Sequence, residues 1–248
     1  MNIVVLGGNS DLSIAVIEQL MTESPISVTF GCRDLAIANT RKEEILKYSP
    51  KTQIQIINYE ATDSGDHARV LEDAKRLGEI DLVIIGFGLL GDEFTFEQDS
   101  QEIHRIIETN FSSVVFATLA AAKALLSQKS PGDIIVFGSV ASQRTRLTSA
   151  VYGACKSGIE NFCRTLGDAL ASKGVHLLVV RPGFALTKMT DGHLQPPFAT
   201  TPRKVAQDIV IGLRKKRRVV WSPRYLRFVY RFLNLLPARI WLRLSERY

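Results

Sequence analysis

The sequence predicts an α/β protein built on one doubly wound, parallel sheet of about seven strands. Short apolar runs alternate along the chain with longer segments of helical periodicity, an order typical of a parallel sheet covered by helices on both faces. A length of 248 residues with 46% hydrophobic residues suits one α/β domain with a substantial core. The predicted strands lie near residues 3–6, 26–31, 53–59, 81–86, 133–138, 175–180 and 218–221.

The first strand runs into a glycine turn and then into an amphipathic helix. Gly7 and Gly8 would let the backbone approach a pyrophosphate, and a helix beginning near Asp11 would direct its free N–H groups and positive dipole end at it. Two glycines alone are a weak signal, so this interpretation depends on the motifs that follow. The predicted phosphate loop comprises Gly7, Gly8, Asn9, Ser10, Asp11 and Leu12.

The end of the second strand decides the choice of cofactor. An acidic residue at this point binds the ribose diol of NADH, whereas an arginine accommodates the 2′-phosphate of NADPH. Arg33 stands here and favours NADPH. Asp34 follows it directly and either points at the ribose or starts the next helix, so NADH stays possible.

The residues that indicate a reaction are a serine, a tyrosine and a lysine in fixed order. Tyr152 and Lys156 are four residues apart on a predicted helix, so the phenol and the ammonium share one face. A nearby cation favours phenolate, and we expect Lys156 to bring the tyrosine pKa down from about 10 toward the operating pH. Ser139 ends the fifth apolar run, where a parallel sheet opens into a cleft, and its hydroxyl would polarise a carbonyl there.

Each of these residues also has a simpler explanation. Ser139 would cap a turn, Asn110 on a separate predicted helix would satisfy buried backbone, and a tyrosine four residues before a lysine occurs by chance in many helices. Their combination, in this order and after a nucleotide-binding start, favours the reduction of a ketone.

On these motifs, residues 1–221 resemble the short-chain dehydrogenase/reductase family, whose catalytic tetrad matches Asn110, Ser139, Tyr152 and Lys156. The resemblance implies a Rossmann-type fold and a nicotinamide cofactor. It also implies that Tyr152 gives a proton to the developing alkoxide, that Lys156 holds the nicotinamide ribose, and that Asn110 anchors a water through which the proton is replenished. Family members commonly associate through long helices, so the resemblance implies a homo-oligomer.

The phosphate-loop motif of the family, T-G-x-x-x-G-x-G, is altered in this chain. Leu6 stands where threonine is usual, Asp11 replaces the second glycine and Ser13 the third. Glu60, after the third strand, resembles the acidic contact to adenine, although a surface carboxylate is an open alternative. The further cofactor contacts that the resemblance implies are Gly86, Pro182, Gly183 and Thr187, the last of which would meet the nicotinamide carboxamide.

Three segments are similar to a narrower group, the decaprenylphosphoryl-2-keto-erythro-pentose reductases. They are residues 86–92 (GFGLLGD), residues 181–183 (RPG) followed by Thr187, and residues 220–224 (VWSPR) with their basic, aromatic continuation. The resemblance implies reduction of a lipid-linked 2-keto pentose to decaprenylphosphoryl-arabinofuranose, in partnership with a flavin-dependent oxidase that begins the epimerisation. Two alternatives stay open: a short-chain reductase for another lipid or sugar, and a non-catalytic, nucleotide-sensing interaction protein.

One irregular stretch, residues 189–202, is rich in Pro, Thr and Gly and follows the turn at residues 182–183. In the family this region covers the substrate, so we expect a mobile lid. The alternative is an ordinary surface connection.

The basic charge of the chain is concentrated at its C-terminus. Residues 214–248 hold 11 Lys or Arg and one acid, whereas the other 213 residues hold 20 basic and 24 acidic groups. Helical spacing separates an arginine face from an apolar face in residues 222–248, which predicts a helical extension lying at an anionic membrane surface. The arginine face comprises Arg224, Arg227 and Arg231, repeated by Arg239, Arg243 and Arg247, and the apolar face comprises Tyr225, Phe228, Val229, Phe232 and Leu236, repeated by Ile240, Trp241 and Leu244.

Two other occupants of the apolar face are open. It would pack on the body of the protein or across a dimer, leaving a solvated arginine face. Aromatic residues between arginines also suit nucleic acid, but the chain shows no recognised nucleic-acid module, which makes this partner unlikely.

The cysteines, the histidines and the N-terminal sequence indicate the cellular compartment. Three cysteines without metal spacing and four scattered histidines favour a reduced compartment and no metal site. The N-terminus lacks the pattern of a secretory signal, and no uninterrupted apolar run reaches about 18 residues. We therefore expect a peripheral protein on the cytoplasmic side of a membrane.

Overall fold

The computed structural model describes residues 1–91, 95, 98–193, 195–196 and 198–245. Within them, seven parallel strands form one sheet in the order β3-β2-β1-β4-β5-β6-β7. The strands are β1 Asn2–Leu6, β2 Ser27–Cys32, β3 Gln53–Asn58, β4 Leu82–Ile85, β5 Asp133–Phe137, β6 His176–Pro182 and β7 Val219–Ser222. The prediction of a doubly wound sheet is confirmed, and every predicted strand agrees with the structure within two residues at each end.

Helices cover both faces of the sheet. They are α1 Asp11–Met21, α2 Leu35–Tyr48, α3 Ser64–Ala74, α4 Ser100–Ile107, α5 Ser113–Leu126, α6 Ala150–Ala171, α7 Pro202–Arg214, α8 Leu226–Leu233 and α9 Ala238–Ser245. Because the central strands are buried from both sides, β1 and β4 consist entirely of buried residues. One core lies under α1, α2 and α7 and the other under α3, α5 and α6.

The strand order places the site. β1 pairs with both β2 and β4, so the order reverses beside β1 and leaves a crevice beyond the carboxyl ends of β1 and β4. Gly7 follows β1 and Gly86 follows β4, which puts both glycines at this crevice. β5 ends just before Ser139, and β6 ends at Pro182, so four segments with predicted site residues meet at one edge.

A continuous helical stretch, Ser100–Leu126, joins α4 to α5 and is long and apolar enough to cross a membrane by length and composition. Val114, Ala117, Ala121 and Leu125 on this stretch are buried in the core against the sheet. The stretch is therefore a core helix of the α/β fold.

The C-terminal residues form two short helices that dock on the body. β7 ends at Ser222, whose hydroxyl donates a hydrogen bond to buried Asp208 at 2.9 Å. Leu226 and Tyr230 of α8 are buried, whereas Phe228 and Phe232 are 71% and 63% exposed. The sequence analysis identified two faces, but α8 has a third, inward face, and the aromatic face stays in solvent. Arg247 lies outside the described residues.

Candidate active site

A cavity of about 920 Å³ lies along the carboxyl ends of the strands. Gly7, Asn9, Ser10 and the residues that follow β2 and β3 line one end of it, and the predicted catalytic residues line the other. The predicted site residues therefore share one cavity, with the exception of Gly8, which supports the loop from behind.

The phosphate loop requires glycine at two positions. Gly7 has φ +89°, and a Cβ on it would lie 2.6 Å from the backbone nitrogen of Phe87. A Cβ on Gly8 would lie 2.7 Å from Cys32 Sγ. Both glycine N–H groups donate to Gly31 O at 3.0 Å, which fixes the turn against β2. The loop is thus a close-packed turn in which neither glycine can be replaced without movement of β2 or of Phe87.

Ser13 occupies the position of the third family glycine, and the structure shows what accommodates it. Ser13 is wholly buried in the first turn of α1. Its Oγ sits against Gly86, where an added Cβ would overlap it. The loop accommodates the serine side chain because Gly86, which Ser13 Oγ contacts, has no side chain.

Asp11 occupies the position of the second family glycine and has two partners. Its Oδ1 accepts a hydrogen bond from Arg41 Nη2 at 3.0 Å, and its Oδ2 accepts one from the backbone N–H of Lys188 at 2.8 Å. An ion pair with Arg41 thus compensates a carboxylate that lies at the mouth of the phosphate loop.

The end of β2 shows what Asp34 contacts. Its Oδ1 accepts a hydrogen bond from Ile37 N at 3.0 Å and caps α2, so Asp34 starts the helix. Asp34 also lines the cavity, so a contact of its other oxygen with the ribose stays open. The Arg33 side chain is 80% exposed at the cavity and lies 4.0 Å from Glu60 Oε2. Glu60 accepts hydrogen bonds from the backbone and side chain of Thr62 through its other oxygen.

Tyr152 and Lys156 lie on the first turns of α6, as the spacing predicts. Lys156 Nζ is 5.6 Å from the centre of the Tyr152 ring and donates a hydrogen bond to Phe137 O at 2.9 Å. Ser139 begins the loop after β5, and its Oγ accepts a hydrogen bond from Ala141 N at 3.1 Å. Ser139 therefore caps a turn, as the simpler explanation expects, and also lies in the cavity beside Tyr152.

Burial governs the ionisation of both α6 side chains. It raises the pKa of Tyr152, and the Ser139 hydroxyl lowers it by a smaller amount through a hydrogen bond. Burial also lowers the pKa of Lys156 to about 8. We expected Lys156 to bring the Tyr152 pKa down; the net direction is upward instead, because burial of the phenol outweighs its hydrogen bond with Ser139.

Asn110 lies in a π-helical turn, Glu108–Ser112, between α4 and α5. It is wholly buried, its Oδ1 accepts from Leu89 N at 3.0 Å, and its Nδ2 donates to Leu89 O at 2.7 Å. A Cβ on Gly88 would lie 2.9 Å from Asn110 Oδ1 and 3.8 Å from Lys156 Nζ. The Asn110 amide thus satisfies buried backbone and holds the 86–91 segment beside Lys156. Asp92, which ends the motif, lies outside the described residues.

The segment after β6 supplies the remaining predicted contacts. Pro182, Gly183 and Thr187 all line the cavity. A Cβ on Gly183 would lie 2.6 Å from Leu226 Cδ1, so glycine lets α8 approach β6. Thr187 begins a short turn in which its N–H donates to Thr190 Oγ1 at 3.1 Å. Of the predicted lid, Leu194 and Pro197 lie outside the described residues.

The cavity-lining residues that the sequence analysis missed include Arg144, Arg146 and Tyr230. The two arginines lie in the loop between Ser139 and Tyr152, where no motif marks them. Leu226, Tyr230 and Leu233 have spacing i, i+4, i+7, which was a signal for a third, inward face of α8.

The cavity fits a dinucleotide. Gly7 and Gly88 line the cavity with backbone alone, and the helix that begins at Asp11 directs its N-terminal N–H groups toward the loop. Asn9 lines the cavity, and its Oδ1 is buried without a hydrogen-bond partner among the described residues. This oxygen is an acceptor and suits a hydroxyl group of the dinucleotide. The cavity therefore suits a dinucleotide whose pyrophosphate is held by backbone donors.

Comparison with known proteins identifies the family. The family model described as short chain dehydrogenase matches residues 1–196. The chain belongs to the short-chain dehydrogenase/reductase family.

Relatives of this short-chain dehydrogenase are named as oxidoreductases. It is 32% identical over 246 residues to an "uncharacterized oxidoreductase in mprA 5'region" of Streptomyces coelicolor, covering 98% of this chain and 95% of that protein. It is 34% identical over 189 residues to an uncharacterized oxidoreductase of Mycobacterium tuberculosis, covering 76% of each chain. It is 35% identical over 130 residues to a 3-oxoacyl-[acyl-carrier-protein] reductase of Escherichia coli, covering 52% of this chain and 53% of that one.

Solved structures share the fold. A short-chain dehydrogenase from Sphingobium yanoikuyae in complex with NADPH has a TM-score of 0.82 at 18% identity and covers 94% of this chain and 92% of its own. One from Burkholderia phymatum in complex with NAD also has a TM-score of 0.82, at 15% identity, with coverage of 93% and 92%. The chain is therefore an oxidoreductase of this family by sequence relationship, and the solved structures share its fold.

Proposed function

We propose that this short-chain dehydrogenase reduces the 2-keto group of a polyprenylphosphoryl 2-keto-erythro-pentofuranose, giving polyprenylphosphoryl-D-arabinofuranose. The reaction would be the second step of an epimerisation that a flavin-dependent oxidase begins. The observation that carries the proposal is the C-terminal helix α8. It contributes Tyr230 to the wall of the cavity and presents an apolar, arginine-flanked face to the outside.

The cavity end beside the catalytic residues suits a polar group with a negative charge. Arg146 lines it, and its hydrogen bond to the Tyr230 hydroxyl lowers the pKa of that phenol, although burial raises it more. An arginine and a phenol are donors that bind phosphate oxygens. The phosphate of a lipid-linked sugar would meet these groups while the sugar ketone faces Ser139 and Tyr152.

The outer face of the C-terminal helices suits the lipid. Phe228, Phe232 and Leu235 are 71%, 63% and 79% exposed. The ring of Phe198 contacts the ring of Tyr225 edge-on, with 6.0 Å between the ring centres. Exposed apolar surface of this kind in a basic segment is typical of helices that lie in a membrane interface. We propose that this face contacts an anionic bilayer on the cytoplasmic side. The flanking arginines in the described residues are Arg224, Arg227, Arg231, Arg239 and Arg243.

The mechanism follows from the tetrad. A nicotinamide cofactor, when bound, would provide the hydride for the carbonyl carbon. Ser139 donates a hydrogen bond to the carbonyl oxygen, and Tyr152 transfers its phenolic proton to that oxygen as it becomes an alkoxide. A raised Tyr152 pKa suits this role, because the phenol is protonated before the reaction. Lys156 keeps a positive charge beside the phenolate that forms, and Asn110 holds the adjoining loop in place.

The proposed cofactor is NADPH, with NADH possible. Arg33 is exposed at the cavity, and Asp34 uses one carboxylate oxygen to cap α2. A guanidinium at this point would pair with a 2′-phosphate, as the sequence analysis predicts. Gly7, Asn9, Ser10 and Thr187 would hold the rest of the dinucleotide.

A second candidate is a ketoreductase for another lipid or sugar ketone. Similarity over half the chain to a 3-oxoacyl-[acyl-carrier-protein] reductase favours an acyl ketone among these. A non-catalytic, nucleotide-sensing protein is the third candidate, and the assembled tetrad argues against it.

The test is oxidation of NADPH or NADH with a short-chain polyprenylphosphoryl 2-keto pentose, in wild type and in Tyr152→Phe. We expect turnover to the arabinose product in wild type, faster with NADPH, and a loss of at least about 100-fold in Tyr152→Phe. Cofactor binding by Tyr152→Phe, measured by quenching of tryptophan fluorescence, should match wild type.

Each outcome separates the candidates. Turnover of a soluble acyl ketone in preference to the lipid-linked pentose would replace the proposed substrate by the second candidate. Cofactor binding without turnover of either ketone would favour the sensing protein. Unchanged turnover in Tyr152→Phe would contradict the mechanism itself.

A further inference from the structure

A carboxylate at the start of α1 is an unexpected group in a site for pyrophosphate. Asp11 lines the cavity beside Ser10, and its side chain is 17% exposed. The N-terminus of a helix favours a negative charge, but a carboxylate placed there occupies the position that serves a phosphate and repels it. We therefore expect the Asp11 carboxylate to have a structural role that compensates for this repulsion.

The two oxygens of Asp11 connect three elements that are distant in sequence. Oδ1 accepts from Arg41 Nη2 of α2 at 3.0 Å, and Oδ2 accepts from the backbone N–H of Lys188 at 2.8 Å. The Arg41 side chain is 25% exposed, so the pair is partly shielded from solvent. Hydrogen bonds to an ionised group in such surroundings are shorter and stronger than those between neutral groups.

Lys188 belongs to a turn that is held together by hydrogen bonds among its own residues. Thr190 Oγ1 donates to Ala185 O at 2.6 Å and accepts from Thr187 N at 3.1 Å. Thr190 N donates to Thr187 O at 3.0 Å. Holding the Lys188 N–H therefore holds Thr187, which lines the same cavity as the phosphate loop.

The turn has a second attachment on its other side. Ala185 forms a parallel bridge with Thr200, and Leu186 N donates to Thr200 O at 2.9 Å. Asp11 and Thr200 thus fix the turn from two directions, one from the phosphate loop and one from the residues just before α7.

We propose that Asp11 is a positioning residue that holds the Thr187–Thr190 turn over the dinucleotide site, and that Arg41 neutralises its charge so that a pyrophosphate is tolerated. The carboxylate joins the phosphate loop to the segment after β6, a contact that a glycine, without a side chain, could not make. The proposal concerns the nicotinamide dinucleotide and does not depend on which ketone is reduced.

The test uses the whole protein and begins without cofactor. We expect Asp11→Asn to raise amide hydrogen exchange in residues 185–190 about 10-fold, because the hydrogen bond to Lys188 N–H loses its charge assistance and the single amide oxygen must serve both Arg41 and Lys188. With saturating NADPH, kcat should fall by a similar factor, while the Kd of NADPH stays within about 2-fold or decreases, because a negative charge has been removed from the phosphate site. Asp11→Glu, which keeps the carboxylate, should recover part of the protection and of kcat.

We expect Arg41→Gln to have the opposite pattern of effects on the exchange of the turn and on the affinity for NADPH. It leaves the bond from Asp11 to Lys188 N–H in place but leaves the carboxylate charge uncompensated. We expect exchange in residues 185–190 to stay close to wild type and the Kd of NADPH to rise about 10-fold. Glu44→Gln is the matched control, because Glu44 pairs with the other side of Arg41 at 3.2 Å and does not contact the turn. It should change neither quantity.

Two results would overturn the proposal. One is wild-type exchange of residues 185–190 in Asp11→Asn, and the other is tighter NADPH binding with unchanged kcat in that variant. If Asp11→Asn fails to fold, Asp11→Glu and Arg41→Gln still decide, since a purely structural role predicts no separation between turn exchange and NADPH affinity.

Discussion

Gly86 and Ser13 show how a change in a family motif is absorbed by one other residue. Ser13 fills space at the start of α1 that a glycine would leave empty, and its Oγ is buried without a hydrogen-bond partner among the described residues. Gly86 lies against this oxygen. The two positions are therefore coupled, and substitution of either should depend on the other.

We predict that Gly86→Ala lowers the free energy of unfolding by about 1–3 kcal/mol, because the new methyl group overlaps Ser13 Oγ. Ser13→Ala in the same protein should recover most of the loss, since its Cβ alone would lie 3.3 Å from the added methyl. Urea unfolding of both single variants and the double variant measures the coupling. Additive effects would contradict the packing argument.

Lys156 gives a prediction for pH. Burial lowers its pKa from the ordinary value to about 8, so the ammonium loses its proton as the pH rises through about 8. The pKa of Tyr152 is raised, so the phenol keeps its proton over this range. We expect kcat/KM for ketone reduction to be level below about pH 7 and to decline above about pH 8. A rate that stays level to about pH 10 would show that the charge of Lys156 is not required.

At the scale of elements, the loop between Ser139 and Tyr152 is joined to the C-terminal helices by Arg144. Its guanidinium donates to Leu233 O and, at 2.8 Å, to Leu236 O, and lies 4.9 Å from the centre of the Trp241 ring. Trp241 Nε1 also donates to Thr145 O at 3.1 Å. One side chain thus satisfies carbonyls at the end of α8 and supports α9.

We predict that Arg144→Ala releases α8 and α9 while the sheet stays folded. Two hydrogen bonds and a cation–π contact are lost, which should reduce the local stability of residues 226–245 by about 2–4 kcal/mol. Amide exchange of these residues should rise about 30-fold or more, with a change in tryptophan fluorescence. Arg164→Ala is the control, because Arg164 is exposed on α6 and bonds only locally to Asn161. Equal exchange in both variants would contradict the role of Arg144.

At the scale of the whole molecule, the proposed membrane face and the catalytic cavity share α8. Tyr230 faces the cavity while Phe228 and Phe232 on the same helix face solvent. The sugar of a lipid-linked substrate would therefore reach Tyr152 while its prenyl chain stays near the bilayer. The proposed function depends on this arrangement.

We predict that the protein binds vesicles of anionic phospholipid and that Phe228→Ser with Phe232→Ser weakens this binding about 10-fold or more, because two exposed aromatic side chains no longer enter the interface. Binding should also weaken as salt is raised, since each arginine near the surface contributes about 1 kcal/mol. Tyr48→Ser is the control, because Tyr48 is 87% exposed at the end of α2, outside the proposed face. Vesicle sedimentation measures both; equal loss in the control, or binding independent of lipid charge, would contradict a specific membrane face.

The sequence by itself determined the succession of strands and helices along the chain and the shared helical face of Tyr152 and Lys156. Apolar runs report burial on both faces of a parallel sheet, and the spacing of these two residues fixes one face, so both follow from local periodicity. The same is true of the charge separation between residues 214–248 and the rest of the chain. The prediction of a tetrad that includes Asn110 and Ser139 depended in addition on the resemblance to the family.

Only the tertiary structure decided the contacts between distant segments. Asp11 meets Lys188, Ser13 meets Gly86, and Arg144 meets Trp241, and in each pair the partner lies on an element whose position depends on the whole fold. The ionisation of Tyr152 and Lys156 was decided there as well, because desolvation depends on what surrounds a side chain rather than on its neighbours in sequence.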